Sequence, residues 1–334
     1  MERSLANINN ELDPSFNLDP QSIRLMDFQG ERSRVFIGKS PNYGLVVIKT
    51  ALEQNGISQT GIDEIKMNLS GYKHIPTEFR PDILSVNEDN SVMILKHAGL
   101  PIRDLLWINR DNLGICETII LNFQKNLTTL YDLTKNTSAG KECKTYLKDL
   151  VSKGNSFLSS GFFPEELRRG FNRIAKMALG KSENVGSFAN MDSTQGNLLI
   201  DTATSPQTLK LIDPKSPRTT NGVENFTGIS VIDLGMFLTT VELNSPAIFQ
   251  RLAFENTLLS VGRTIYSDPG KAQLYLDLGK AFGCILIATF PNSVDRVKTY
   301  LESFGVELSG NKLIEVVNER QRHIDKAVKI VHNY

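Results

Sequence analysis

The sequence predicts an α+β protein in two lobes, an antiparallel β lobe carrying one helix and then a mainly helical lobe. Three observations carry that prediction. Between Ile23 and Leu95, short runs rich in β-branched residues alternate with Gly, Pro and Asn turns. After Gly99 the pattern changes to long segments of helical period. Two apolar strands, one headed by Asn197 and one ending on Asp213, then interrupt the helical half. The boundaries read as a lead-in over 1–22, a β lobe over 23–95, a connecting hinge over 96–99 and a helical lobe over 100–334.

The lead-in is polar and reads as poorly ordered or loosely docked. Strands are predicted at 23–28, 34–37 and 45–49, separated by turns at 29–33 and 39–44. A helix over 61–72 follows and carries Glu64. Strands at 82–86 and 91–95 enclose the hairpin loop Asn87-Glu88-Asp89-Asn90. Pro101 suits the first turn of a helix over 102–107. Amphipathic helices are read at 111–135, 140–153 and 163–179, then strands at 198–200 and 209–212. Helices resume at 229–241, 245–266, 270–289, 293–304 and 311–330.

The composition, 40% hydrophobic and 22% charged over 334 residues, is that of a soluble globular protein. Lys plus Arg and Asp plus Glu both number 37, which argues against nucleic-acid binding by bulk charge. Cys116, Cys143 and Cys284 are widely spaced, lack metal-ligand spacing, and read as thiols of a reducing compartment. The first residues hold no signal-peptide core, and the longest apolar run, 281–290, is too short to span a bilayer. The expectation is a cytoplasmic protein with no nucleic-acid or membrane partner.

The chemistry concentrates in Asp192, Asn197 and Asp213. A polar loop carrying Asp192 runs into the strand headed by Asn197, and the next strand delivers Asp213. Amide and carboxylate oxygens at adjacent strand ends suit a hard cation such as Mg2+. A nearby carboxylate able to accept a hydroxyl proton completes the layout that phosphoryl transfer needs. Gly38-Lys39-Ser40 is not a Walker A loop, because Ser33 stands where its first glycine is required and a turn follows it. Gly180-Lys181-Ser182 fails likewise at Ala175. Arg168-Arg169 and Arg320-Gln321-Arg322 read as solvated helix faces, and Trp107 reads as core.

These residues resemble the protein-kinase-like fold, most closely its aminoglycoside phosphotransferase and choline kinase branch. Gly30-Glu31-Arg32-Ser33-Arg34-Val35-Phe36 is similar to that branch's nucleotide loop, and Val46-Val47-Ile48-Lys49 to the strand bearing the phosphate-binding lysine. Glu64 is the first choice for the glutamate that pairs with Lys49, ahead of Asp63 and Glu53. The stretch 94–99 is similar to the hinge, with Lys96 and His97 beside the nucleotide. Asp192 and Asn197 match H-G-D-x-x-x-x-N, Asp213 the aspartate after the next strand, and Val231-Ile232-Asp233-Leu234-Gly235 the element whose aspartate braces the catalytic loop. The chain departs from the pattern at Asn190, where the family usually has His, and at Pro214, where D-F-G or D-F-E is usual. Thr194 replaces the lysine of Ser/Thr protein kinases, and no A-P-E element follows.

The resemblance implies ATP and Mg2+ as cofactors and a small-molecule hydroxyl as acceptor. Gly30, Ser33, Arg34, Lys49, Glu64, Lys96 and His97 would serve the nucleotide, Asn197 and Asp213 the metal, and Asp192 the acceptor proton. Lys49 is expected at a strand end, contributing charge and little packing. From residue 221 on, acidic and basic residues nearly balance, so no anionic basin for a polycation is evident. A pseudokinase scaffold, favoured by Asn190, is the reading from another class. A protein kinase or a nucleotidyl transferase on the same fold is a third.

Overall fold

The structure is a computed structural model. It describes residues 18–25, 33–53, 56–109, 111–159, 161–181, 183–190, 197–201, 207–214, 226–244, 254–266, 268–289 and 310–334. These residues fall into two compact units. The first reaches Ile102 and takes in the hairpin that begins at Asn197; the second begins at Arg103.

The first unit is built on β1 (Arg24–Leu25), β2 (Arg34–Ser40), β3 (Gly44–Thr50), β6 (Ile83–Val86) and β7 (Val92–Lys96). They pair antiparallel throughout, in the order β1-β2-β3-β7-β6. A small hairpin, β4 (Leu52–Glu53) and β5 (Gly56–Ile57), leads from the sheet into helix α1 (Gln59–Lys73). Ser58 caps α1, its Oγ accepting from the Gly61 amide at 3.3 Å.

Register fixes which face of the sheet does chemistry. Phe36, Ile48 and Ile94 lie opposite one another on three neighbouring strands and are buried with Val46, Val92, Leu18 and Ile23. Because side chains alternate along a strand, Lys49, paired with Val35 and Met93, faces the other way. Leu18 packs in that core and the Asp19 amide donates to the Lys39 carbonyl. The end of the expected lead-in is therefore docked on the sheet.

Strand β10 (Leu198–Asp201) pairs antiparallel with β11 (Thr208–Leu211) and with β8 (Leu100–Pro101). Pro101 thus ends a strand, and α2 (Ile102–Ile108) follows it directly. Gly99 makes the pairing with β10 possible. Its φ is +108°, and a Cβ there would meet the Ile200 carbonyl oxygen at 2.1 Å.

The second unit is helical: α3 (Leu113–Thr134), α4 (Gly140–Leu158), α5 (Glu165–Gly180), α6 (Ser230–Asn244), α7 (Phe254–Ile265), α8 (Pro269–Thr289) and α9 (Gly310–Val331). Helix α8 is buried nearly all round and packs on α6 at a pair of glycines. A Cβ on Gly235 would meet the Leu276 carbonyl oxygen at 2.2 Å, and one on Gly279 the Ile232 carbonyl oxygen at 2.0 Å. Short strands β9 (Ser187–Phe188) and β12 (Thr227–Gly228) pair antiparallel, β9 packing on α3 and β12 on α4. The helix predicted at 293–304 and the start of the one predicted at 245–266 lie outside the described residues.

Candidate functional site

In the first unit Lys49 is buried, only 6% exposed, and its ammonium has three acceptors. Its Nζ donates to Glu64 Oε1 at 3.2 Å, Asn68 Oδ1 at 2.7 Å and Asp213 Oδ1 at 2.5 Å. Glu64 and Asn68 stand one turn apart on α1, and Tyr72 one turn further, so one helix face carries all three. A buried charge persists only when paired and hydrogen-bonded, and this arrangement meets that condition. Two carboxylates around one ammonium also leave the cluster one negative charge in excess.

Asn197 and Asp213 meet at the open end of the β10–β11 hairpin. Leu198 pairs with Leu211, and the Ile212 amide donates to the Asn197 carbonyl at 3.0 Å, which sets Asp213 one residue beyond that bond. Asp213 has φ +52°, a left-handed conformation uncommon outside glycine. Its N–H donates to the Tyr72 hydroxyl oxygen at 3.3 Å, and Asn68 Nδ2 donates to the Pro214 carbonyl at 3.2 Å. Burial, reinforced by the Asp213 charge, pushes the Tyr72 phenol well above its ordinary pKa, so it stays neutral.

In the second unit Asp233 of α6 is buried and accepts from the Tyr146 hydroxyl of α4 at 2.5 Å. It also accepts from the Asn190 backbone N–H. Ser187 and Ser230 hydroxyls bond at 2.6 Å, and the Ala189 amide donates to Phe226. The approach to the Asp192 loop is thus held through its backbone up to Asn190. Burial first, and then the Asp233 charge, raise the pKa values of Tyr146 and Tyr131, leaving Tyr146 a neutral donor.

The residues singled out by sequence are distributed as follows. Lys49, Glu64 and Asp213 come together; Glu64, and not Asp63, holds Lys49, while the Glu53 side chain lies outside the described residues. Ser33 is buried, its Oγ without a partner among the described residues, and Arg34 opens β2 opposite Thr50. The Lys96 side chain is exposed and lies 3.8 Å from Asp82, outside the Lys49 cluster. The His97 amide donates to the Leu45 carbonyl, continuing the sheet, and burial lowers the ring's pKa against the opposing charge of Asp201. Asp192 and Gly30 lie outside the described residues. The expectation that Lys49 contributes little to the fold is corrected: its ammonium is buried and neutralises a buried glutamate.

Sequence reasoning passed over Asn68, Tyr72 and Tyr146. The first two were findable, being polar-tipped residues four and eight positions after Glu64 on a predicted helix. Tyr146 partners a residue 87 positions away, and no local pattern marks it.

A five-stranded antiparallel sheet with one helix, a lysine–glutamate pair between them, and a helical unit define the protein-kinase-like fold. Among solved structures the chain is similar to a candidate fructosamine-3-kinase from Thermobifida fusca YX-ER1. The identity is 9%, all of both chains is covered and the TM-score is 0.52. It is also similar to a macrolide 2'-phosphotransferase from Brachybacterium faecium, at 9% identity and TM-score 0.50 over 99% of this chain and 97% of that one. An ADP-bound aminoglycoside phosphotransferase gives 11% identity and TM-score 0.50 over 99% of each chain. At these identities the likeness is one of fold. No family model matches the chain, and no curated protein matches it in sequence.

The donor set at the hairpin end fits Mg2+, which takes one or two carboxylate or amide oxygens from the protein and completes its shell elsewhere. Glu64 Oε2 is buried without a partner among the described residues, and the cluster carries an excess negative charge, so a cation is electrostatically welcome. Among the described residues no group of three or more His, Cys, Asp and Glu forms a cage able to bind a metal without a substrate's help. No described helix is long and apolar enough to cross a membrane.

Proposed function

We propose that the chain is an ATP-dependent kinase that moves the γ-phosphoryl group to a hydroxyl of a small molecule. The observation carrying this reading is the Lys49 ammonium held between Glu64 and Asp213 in a protein-kinase-like fold. Lys49 would offset negative charge on the α- and β-phosphates, with Glu64 keeping the ammonium in place. Asn197 and Asp213 would hold Mg2+, which would supply charge neutralisation to the phosphate oxygens. Asp192 accepts the acceptor's hydroxyl proton as that oxygen bonds to the γ-phosphorus. The bond from phosphorus to the β-phosphate oxygen breaks, and ADP leaves with that electron pair. Ser33, Arg34 and Gly30 would line the phosphate loop, with Lys96 and His97 beside the base.

The pseudokinase alternative rests on Asn190 in place of His. Asn190 reaches Asp233 through its backbone N–H, a contact that any residue but proline supplies at this position. That supports the active reading. Calorimetry tests the nucleotide half: ATP is expected to bind in millimolar Mg2+ and to bind weakly in excess chelator. No binding in either condition overturns the proposal.

A further inference from the structure

We propose that Asn68 is a positioning residue that ties Lys49 to the backbone after Asp213, setting both groups with one buried amide. Its side chain is fully buried. The orientation of that amide is fixed by chemistry. An ammonium offers only donors, so it faces Oδ1; a backbone carbonyl offers only acceptor pairs, so it faces Nδ2. Neither a carboxylate nor an apolar side chain supplies both functions.

The segment being held needs holding. Asp213 adopts φ +52°, a conformation that persists only where its surroundings over-determine it. Pro214 has no N–H, so its carbonyl is the one backbone polar group it offers, and Asn68 takes it. The preceding backbone group, the Asp213 N–H, goes to Tyr72. One face of α1 therefore grips both sides of the left-handed turn and, through Glu64 and Asn68, the lysine as well. When Asp213 exchanges Lys49 for a cation, Glu64 and Asn68 remain to hold the ammonium, and Asn68 and Tyr72 remain to hold the backbone. Only this exchange rests on the kinase reading; the grip on the turn stands without it.

Two variants test the assignment. Asn68→Leu keeps the volume and loses both bonds; Asn68→Asp keeps an acceptor for Lys49 and loses the donor to Pro214. Amide hydrogen exchange, followed by NMR on the ligand-free protein, is expected to accelerate about tenfold or more at Asp213 in both, the scale of one lost buried hydrogen bond. Exchange at Ile48 in β3 is expected to stay at the wild-type rate. In Asn68→Leu the Mg2+ concentration for half-maximal ATP binding is expected to rise by a similar factor. Unchanged exchange at Asp213, or exchange that rises equally at Ile48, overturns the proposal. A wild type that binds no ATP refutes the kinase reading, and the exchange experiment still decides the role of Asn68. Should Asn68→Leu fail to fold, Asn68→Asp carries the same comparison.

Discussion

Lys49 Nζ lies 2.5 Å from Asp213 Oδ1, joining the third strand of the sheet to the turn after β11 across 164 residues. The contact brings the ammonium proposed to serve phosphate and the carboxylate proposed to serve metal to one point, each a partner of the other.

Lys49→Met is expected to abolish ATP binding and also to destabilise the protein. It strands the Glu64 carboxylate, 5% exposed, and breaking a buried pair costs about 3–5 kcal/mol. Lys49→Met/Glu64→Gln is expected to recover most of that stability in denaturant titrations while ATP binding stays lost. A single mutant as stable as wild type contradicts the buried-pair account.

Tyr146→Phe keeps the ring and removes the bond to Asp233. A hydrogen bond to a charged group contributes about 1.5–3 kcal/mol, and a loss of that order is expected in the unfolding free energy. Turnover should fall as well, because Asp233 then holds Asn190 with one donor fewer. Wild-type stability together with wild-type turnover would remove Tyr146 from the brace.

Much of this was legible in the sequence for physical reasons. Val46, Ile48, Val92 and Ile94 mark their strands by alternation, and Asn87 to Asn90 mark a hairpin turn. The pairing of Lys49 with Glu64 was legible through the family resemblance, which asks for a glutamate on the helix that follows the lysine strand. What stayed hidden depends on tertiary register. Pro101 reads as a helix start until β10 arrives beside it, and only the close approach at Gly99 explains that pairing. Burial of Lys49 was hidden for the same reason, since α1 covers it. Asn68 and Tyr72 share the face of Glu64, yet their importance appears only when the turn at Asp213 is in place.

Acid is expected to weaken the second unit through His323 of α9. The ring is fully buried and neither nitrogen has a partner among the described residues. Burial, with Arg322 nearby, lowers its pKa from 6.5 to about 4. Between those values the unfolded chain binds the extra proton, so stability is complete above pH 6.5, declines as pH falls and stops declining near pH 4. The integrated loss is about 3 kcal/mol. Denaturant midpoints at pH 7 and pH 5 sample about 2 kcal/mol of it, and His323→Leu should reduce the difference. An equal decline in that variant assigns the acid sensitivity elsewhere.

The two carboxylates of the proposed transfer are expected to fail differently. Asp213→Asn removes charge from a hard-cation site and should weaken Mg2+-dependent ATP binding. Asp192→Asn should leave that binding near wild type, which calorimetry on the two variants compares directly.

Transfer itself is the most direct test. Wild-type protein, Asp192→Asn and Asp213→Asn are each incubated with ATP, Mg2+ and a panel of hydroxyl-bearing metabolites, and mass spectrometry follows any acceptor that gains one phosphoryl group. The account predicts a phosphorylated acceptor with wild type, and a rate about 100- to 10,000-fold lower with Asp192→Asn, roughly 3 to 5 kcal/mol of barrier. Wild type that binds ATP and transfers to no acceptor, or Asp192→Asn that turns over like wild type, contradicts it.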